Sequence, residues 1–180
     1  MFPSTTEWIE ALFGQQGAGR YLSDLVAPAP DGWLIAHDVN IENNQPFVVG
    51  LDHNITLRAI KVEHGRVPAL AWRVEIAGKS ISYRGDNNGN APAFVDFVHN
   101  SDLFIAHNAV AKSSAGVERS LHMPASQIGS IAQQAQVKRL LISHRMRRTI
   151  GREQQTTKAI RQYYRGPYTF SKDLQCYPVF

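Results

Sequence analysis

Cysteine is nearly absent from this sequence: Cys176 is the single one among 180 residues. One cysteine excludes an internal disulfide and a zinc knuckle built from several thiolates, so any metal would have to be held by His and carboxylate side chains. The compartment is left open by this count. The simplest interpretation of Cys176 itself is a small, buried apolar residue near a terminal strand.

Long apolar runs and low-complexity tracts are also missing. No stretch approaches the roughly 18 apolar residues that a membrane-spanning helix needs. The start, MFPSTTEWIEALFG, contains Glu7 and Glu10 and lacks the basic segment and apolar core of a signal peptide. We therefore predict no membrane span and a cytoplasmic location for the chain as given. With 43% hydrophobic and 19% charged residues, the composition predicts one globular domain.

Positive charge is modest in total and uneven in distribution. The formal net charge is +4, yet nine Lys and Arg residues fall between positions 138 and 165. A solvated helix face is the usual explanation of such a run, and a positive rim that attracts a phosphate- or sulfate-bearing substrate is the other. The nine residues are Lys138, Arg139, Arg145, Arg147, Arg148, Arg152, Lys158, Arg161 and Arg165.

The first half of the chain reads as a helical segment followed by strands. Residues 1–30 are predicted to be a helical lead-in, because apolar residues recur at helical spacing over residues 5–26 around a break at Gly14–Gly19. Alternating apolar residues then predict strands, with a turn at Asp52–Asn54. These strands are Trp33–Val39, Phe47–Gly50, Ile55–Glu63, Leu70–Ile76 and Ser80–Arg84.

After Gly85, predicted helices and strands alternate. Leu103–Ala106 and Leu140–Ser143 are apolar on both faces, which indicates a sheet covered by helices, and a last strand is predicted at Tyr168–Val179. The fold class is therefore α/β with mixed β-sheets, in a single domain over residues 1–180. The predicted helices are residues 91–99, Ala125–Gln136 with Ser126 as its N-cap, and Glu153–Tyr164.

Four residues with metal-binding or acid–base chemistry lie beside these elements. His64, Asp86 and His144 follow strands, where α/β sheets gather their active sites, and His122 precedes a helix. Imidazole and carboxylate are the ligands that zinc accepts when thiolates are absent. Each residue also has a simpler explanation, such as a hydrogen-bonded surface His or a turn in Gly-Asp-Asn-Asn-Gly. Spacing alone leaves both interpretations open, because it matches no short metal motif.

Several ordered segments together resemble one known family. They are VEHGRVPALAWRVEIAGKSISYRGDNNG (Val62 to Gly89), SDLFIAHNAV, SLHMPASQIGSIAQQAQVKRLLISH and YYRGPYTFSKDL. In this order they resemble the ribonuclease Z branch of the metallo-β-lactamase superfamily, over nearly residues 33 to 180. The resemblance implies the C-terminal half of an αββα sandwich with mixed β-sheets, and a hydrolase that uses two metal ions, zinc or alternatively manganese.

The resemblance also implies roles for individual residues. His64 and His144 match ligands of the first and second metal, and Asp86 matches the Asp that bridges the two. His122 matches a His that assists catalysis by donating a proton to the leaving oxygen or by stabilising charge at the phosphate. His107 lies where the family often has His-Glu, and is expected to hold His122 in position.

Two departures from the family pattern limit what the resemblance implies. Asn87 replaces the usual Thr after Asp86, which changes a hydrogen bond rather than a ligand. The His-x-His-x-Asp-His motif, which supplies four further ligands, is absent from this sequence. We therefore expect an incomplete metal site and a fragment that is inactive on its own. The alternatives are a non-catalytic remnant that acts as a binding module, or a site completed by a separate N-terminal half.

The substrate class implied by the resemblance is an anionic ester. It is either a phosphodiester, as in the RNA cleaved by ribonuclease Z, or an aryl sulfate or other small ester. Arg145 and Arg148, just after His144, are expected to contact that anion. A half sandwich would also expose a wide apolar face, so self-association, for example as a homodimer, is expected of the isolated chain.

Overall fold

A computed structural model describes residues 4–22, 36–41, 45–51 and 54–179. The chain divides into two compact units, Met1–Asn40 and Ile41–Phe180. Within the described part of the chain, no helix has the length and apolar character needed to cross a bilayer.

The described residues of the first unit form helix α1 (Thr5–Phe13) and a 3-10 turn at Arg20–Leu22. Ser4 caps α1 in a reciprocal capping box with Glu7. The predicted break after Phe13 is confirmed, whereas residues 23–26 of the predicted helical segment lie outside the described residues.

The strand predicted at Trp33–Val39 is not found where it can be checked. Residues 33–35 lie outside the described part of the chain, and residues 36–39 form no strand. Asp38 instead accepts a hydrogen bond from the backbone N–H of Thr6, 3.1 Å away. The Asp38 side chain therefore caps the start of α1, and the described residues around it pair with no strand.

The second unit is built on one mixed sheet of seven strands, arranged in the order of the sequence. The first four strands pair antiparallel, and the last three are added in parallel. The predicted α/β class with a mixed sheet is confirmed. The strands are β1 (Phe47–Leu51), β2 (Ile55–His64), β3 (Val67–Ile76), β4 (Lys79–Tyr83), β5 (Leu103–His107), β6 (Leu140–Ser143) and β7 (Tyr168–Phe170).

Four short helices connect or follow the later strands, and the core lies between them and one face of the sheet. Inward-facing residues two apart on a strand, such as Phe104 and Ala106 on β5, belong to a single buried cluster with the helices. A side chain at Gly129 would lie 2.7 Å from the carbonyl oxygen of Ile160, so two helices touch through their backbones there. The helices are α2 (Phe94–Phe97), α3 (Val117–Leu121), α4 (Ala125–Gln134) and α5 (Glu153–Arg161).

The opposite face of the sheet is apolar but less well covered. Register places Val74 beside Leu57 and Ile81, and Trp72 beside Tyr83, on this face. Their side chains are half-buried or, for Tyr83, exposed.

Three predicted boundaries and one burial state are wrong. The last strand ends at Phe170, because β6, the strand it pairs with, has only four residues. Helix α5 ends at Arg161 rather than Tyr164, since the Arg161 side chain donates to the carbonyl oxygens of Tyr164 and Gly166 and draws the chain out of the helix. The predicted helix over 91–99 is one turn, Phe94–Phe97. Cys176 is exposed rather than buried, because the strand that would have covered it does not form.

Helix α4 begins at Ala125 as predicted, but its N-cap lies two residues before the predicted one. Pro124, not Ser126, occupies the N-cap position, with an extended backbone at φ −77° and ψ 163°. Helix α3 was not predicted, because its sequence, VERSL, is too short to show helical periodicity.

Asp102 joins the start of β5 to β4, and its replacement by Asn should destabilise the fold. Its carboxylate accepts hydrogen bonds from the backbone N–H and hydroxyl of Ser80 and from Lys138 Nζ at 2.9 Å. Asn offers a single acceptor oxygen, so we expect Asp102→Asn to lower the free energy of unfolding by about 1.5–3 kcal/mol, measured by urea denaturation.

The effect of Asp102 should disappear in acid. Burial raises the pKa of this carboxyl, but the bonds from Lys138 and Ser80 outweigh burial and lower the pKa below its usual value. A lowered folded-state pKa stabilises the protein above the unfolded-state pKa of about 4, and the stabilisation is lost as pH falls through the folded value. The difference in free energy of unfolding between wild type and Asp102→Asn should be constant above pH 5 and shrink below pH 3. A difference that grows on acidification would contradict a stabilising role for the ionised Asp102.

Candidate metal centre

Three potential metal ligands meet at the carboxyl ends of the parallel strands. Asp86 lies in the loop after β4, His107 is the last residue of β5, and His144 follows β6. One ligand atom from each lies within 4.8 Å of the others. Parallel neighbours end at the same edge of a sheet, and this is why residues so far apart in sequence converge.

The backbone at His144 supports a functional role for this residue. Its φ is +45°, in the left-handed region that non-glycine residues seldom adopt. Backbone strain of this kind clusters at ligand and active sites, where the surrounding structure fixes a side chain in position. His144 Nε2 lies 3.6 Å from Asp86 Oδ1.

His122 joins the same cluster from the loop before α4. Its ring is buried, and its Nδ1 has no hydrogen-bond partner among the described residues. This nitrogen lies 3.5 Å from Asp86 Oδ1. Burial lowers the pKa of His122, with Asp86 opposing and His64 adding to the decrease. The imidazole is therefore held neutral, with one donor and one acceptor nitrogen.

His64, the last residue of β2, lies at the edge of the cluster formed by Asp86, His107, His122 and His144. Its Nδ1 lies 2.9 Å from the carbonyl oxygen of Leu121, and its ring centroid is 5.2 Å from that of His122. A carbonyl on one ring nitrogen fixes the proton there and leaves the other nitrogen with a free lone pair, the usual state of a metal-ligating His. Of the predicted site residues, His64 is the one that contacts the cluster only through a neighbouring ring.

His107 contacts Asp86 rather than His122, the residue it was expected to hold. His107 Nδ1 lies 2.6 Å from Asp86 Oδ1, a strong hydrogen bond to a carboxylate. Burial raises the pKa of Asp86, but this bond and the nearby imidazoles lower it to about 2. Asp86 is thus ionised at neutral pH and oriented by His107.

The donor set fits zinc. Two ligands of one tetrahedral zinc lie about 3.3 Å apart when each is about 2.0–2.1 Å from the ion, close to the spacing from Asp86 to His122 and to His144. Nδ1 of His122 is buried and has no hydrogen-bond partner among the described residues. Buried polar atoms normally have a partner, and a bound ion would supply one here. Asp86 and His144, with His64, His107 or His122, are the residues that could hold the ion.

The two arginines expected to bind substrate are already engaged within the protein. Arg145 forms an ion pair with Glu153, and its guanidinium lies 4.9 Å from the centre of the Phe170 ring. Arg148 pairs with Glu118 at 2.7 Å on the surface. An exposed pair such as Arg148–Glu118 is weak and exchangeable, whereas Arg145 is fixed by two partners.

Sequence patterns did not single out the residues that fix the two site loops. Arg84 and Asn87 bind one another's backbone carbonyls around Asp86. Arg119 donates to the carbonyl oxygens of His122 and Asn88, at 2.9 and 3.4 Å, and so joins both loops. The one available signal was the position of Arg84, a charged residue in the inward-facing register of a strand.

Comparisons with known proteins agree with this arrangement. The family model described as "Beta-lactamase superfamily domain" matches residues 5–145. Crystal structures with a similar fold include YhfI from Bacillus subtilis, a metallo-beta-lactamase fold protein, with 23% identity, a TM-score of 0.61 and coverage of 74% of this chain and 52% of that one. The short form of human tRNase Z gives 17% identity, a TM-score of 0.58 and coverage of 74% and 47%.

A third similar structure is an isothiocyanate hydrolase from Delia radicum gut bacteria, with 10% identity, a TM-score of 0.56 and coverage of 81% and 61%. No curated protein sequence matches the chain. The chain spans about half the length of YhfI and of human tRNase Z. The match of the family model over most of the chain, together with the sheet and the His/Asp cluster, identifies the family. The chain belongs to the beta-lactamase superfamily of metal-dependent hydrolases and has the metallo-β-lactamase fold, with ribonuclease Z among its structural relatives.

Proposed function

We propose that this chain forms part of a zinc-dependent hydrolase that cleaves an anionic ester, with a phosphodiester as the preferred substrate. The observation that carries the proposal is the distance of 3.6 Å from Asp86 Oδ1 to His144 Nε2, which is close to the separation of two ligands on one zinc ion. An ionised carboxylate and an imidazole at this spacing are ligands for zinc, or for manganese.

Each residue of the cluster has a distinct part in this proposal. Asp86 and His144 hold the metal, with His64 completing the ligands on the β2 side. His107 keeps the Asp86 carboxylate oriented through its 2.6 Å hydrogen bond. His122 is neutral and buried beside the metal ligands, and its ring N–H donates a hydrogen bond that stabilises the charge at the phosphate. Bound zinc supplies Lewis-acid polarisation of the ester under attack.

The site of the proposed hydrolase is larger than this cluster. A two-metal centre needs more ligands than one carboxylate and three or four imidazoles provide, so we propose that a complementing half with the His-x-His-x-Asp-His motif supplies the rest. Its place is the apolar, half-buried face of the sheet, which lies beside His107: the rings of Tyr83 and His107 are 5.1 Å apart. The isolated chain is then expected to be inactive and to self-associate through this face.

The preference for a phosphodiester rests on charge and on fold. The segment after His144 is basic, and Arg147 and Arg152 are exposed with no ion pair among the described residues. One structural relative is a tRNase, which acts on RNA. A phosphodiester would use this positive surface on both sides of the scissile bond, whereas an aryl sulfate would use it on one side.

Metal content measured by mass spectrometry is the test of the metal part of the proposal. We expect the purified chain to retain zinc or manganese, and His64→Ala to lose a large share of it. The exposed His99 provides the matched control: His99→Ala should retain wild-type metal content. Absence of metal from the wild-type chain, after incubation with zinc, would contradict the proposal.

The substrate is tested with bis(p-nitrophenyl) phosphate against p-nitrophenyl sulfate. Faster hydrolysis of the phosphodiester, removed by His144→Ala, supports the proposal, and faster hydrolysis of the sulfate favours an arylsulfatase. A metal-loaded chain that cleaves neither substrate is expected both of a fragment and of a non-catalytic binding module. An in-frame His-x-His-x-Asp-His motif in the genomic DNA upstream of Met1 would favour the fragment.

A further inference from the structure

Among the described residues, Arg84 is the largest side chain that is completely buried, with 0% of its surface exposed. It follows β4, two residues before Asp86, and its guanidinium lies inside the protein rather than on a surface. Its Nη1 donates to the carbonyl oxygen of His107 at 2.9 Å, and its Nη2 donates to the carbonyl oxygen of Asn87. Both acceptors belong to the backbone that carries the Asp86–His107 pair.

Burial of this charge is unfavourable and needs an explanation. The third guanidinium nitrogen, Nε, has no partner among the described residues. Neither of the two acceptors is a carboxylate. Moving an ion from water into a protein interior costs several kcal/mol, and replacement of such groups by apolar ones is often neutral or stabilising. A buried arginine that is not fully paired is therefore poorly explained by stability alone.

The hydrogen bonds of Arg84 connect two separate parts of the site. One arm reaches the end of β5, which carries His107, and the other reaches the loop after β4, which carries Asp86. Asn87 reinforces the loop, because its side-chain amide donates to the carbonyl oxygen of Arg84 at 2.9 Å and its side-chain oxygen accepts from the N–H of Gly89 at 2.9 Å. The planar fork of an arginine can make both contacts at fixed spacing, and a lysine cannot.

We propose that Arg84 is a positioning residue for the metal centre: its guanidinium fixes the backbone of Asp86's loop against the backbone of His107, so that the Asp86–His107 hydrogen bond is formed before any metal arrives. This inference rests on the proposed function, because Asp86 is the carboxylate that would hold zinc. The bond itself belongs to the metal-free protein. Arg84 touches neither metal nor substrate, and acts through Asp86 and His107.

A purely structural role for Arg84 predicts something different. If Arg84 only stabilised the fold, any variant that lost the same free energy of unfolding would disturb the site equally. Asp102→Asn is the matched control, since it removes buried hydrogen bonds at the opposite end of the same strand, β5. A positioning role and a purely structural role of Arg84 can therefore be told apart by observing the Asp86–His107 hydrogen bond in Arg84 and Asp102 variants of similar stability.

The test uses nuclear magnetic resonance of the full chain without metal, and follows the proton on Nδ1 of His107. A proton in a 2.6 Å bond to an ionised carboxylate resonates far downfield and exchanges slowly when buried. We expect the signal in wild type and in Asp102→Asn, and we expect it to be lost or moved upfield in Arg84→Lys. Met fills the same space without a buried charge, so Arg84→Met should fold and lose the signal in the same way even if Arg84→Lys does not fold. An unchanged signal in Arg84→Lys would overturn the inference.

Cobalt binding, observed by visible absorption, provides the second readout. Outer partners of metal ligands contribute about 10- to 100-fold to metal affinity, so Arg84→Lys should weaken cobalt binding by that factor while Asp102→Asn binds as wild type does. Equal weakening in both variants would overturn the positioning role. If wild type binds no cobalt, the proposed function fails, and the proton signal of His107 still decides the inference about Arg84.

Discussion

Replacement of Asp86 by Ala should abolish zinc retention while the chain stays folded. Asp86 Oδ1 is the one atom with short distances to His107, His122 and His144, at 2.6, 3.5 and 3.6 Å. Without it, three imidazoles remain with no negative charge beside them, and the electrostatic attraction for a divalent cation is lost. We expect zinc affinity to fall by at least about 100-fold, measured by competition with a chromophoric chelator.

Stability and metal binding should separate in this variant. Asp86 is about one-third exposed and bears no hydrogen bond to the sheet backbone in the described structure, so the apo form should unfold at nearly the wild-type urea concentration. Asp96→Ala, which removes an exposed carboxylate of helix α2 remote from the cluster, is the control for a general loss of negative charge. Zinc bound as tightly by Asp86→Ala as by Asp96→Ala would exclude Asp86 as a ligand.

Phe104→Ala should produce the largest loss of stability in the second unit. Phe104 is fully buried on the central strand β5, and its ring centroid is 6.0 Å from that of Phe94. Truncation of a buried Phe removes its transfer free energy and leaves a cavity, at a cost of about 3–5 kcal/mol. Urea denaturation followed by circular dichroism should show this loss, large beside a typical stability of about 5–15 kcal/mol.

Val117→Ala is the matched control for Phe104→Ala. Val117 is 74% exposed at the start of α3, so its truncation removes apolar surface that is already in water. Its effect should lie within about 0.5 kcal/mol of wild type. Similar denaturation midpoints for the two variants would mean that Phe104 is not part of a packed core.

The predictable strands are those with a clear apolar pattern, which alternates in β2 and is continuous in β5 and β6. Strands β2, β5 and β6 were predicted within one residue at each end, because their apolar pattern is set by burial against helices on one face. The convergence of Asp86 and His144 also followed from the sequence, since both come after strands of a parallel set. The end of β7 did not, because the length of an edge strand depends on its neighbour, β6, and no local signal reports that.

The supporting residues of the site escaped prediction for a similar reason. Arg84 and Arg119 act through hydrogen bonds to backbone carbonyls of distant residues, such as His107 and His122. Such partners are chosen by the tertiary structure, and an arginine in a sequence gives no sign of which carbonyl it will meet. His107 was singled out by the family resemblance, and its hydrogen-bond partner, Asp86, emerged only from the geometry.

The order of the seven strands, identical in space and in sequence, has a kinetic consequence. Every strand pairs with the one synthesised just before it, so each strand adds to a sheet edge that is already present. Topologies rich in such near-neighbour contacts pass over lower entropic barriers than those that join distant segments. The sheet can therefore grow as it leaves the ribosome, and the Asp86 loop exists before the chain that ends in His144 reaches it.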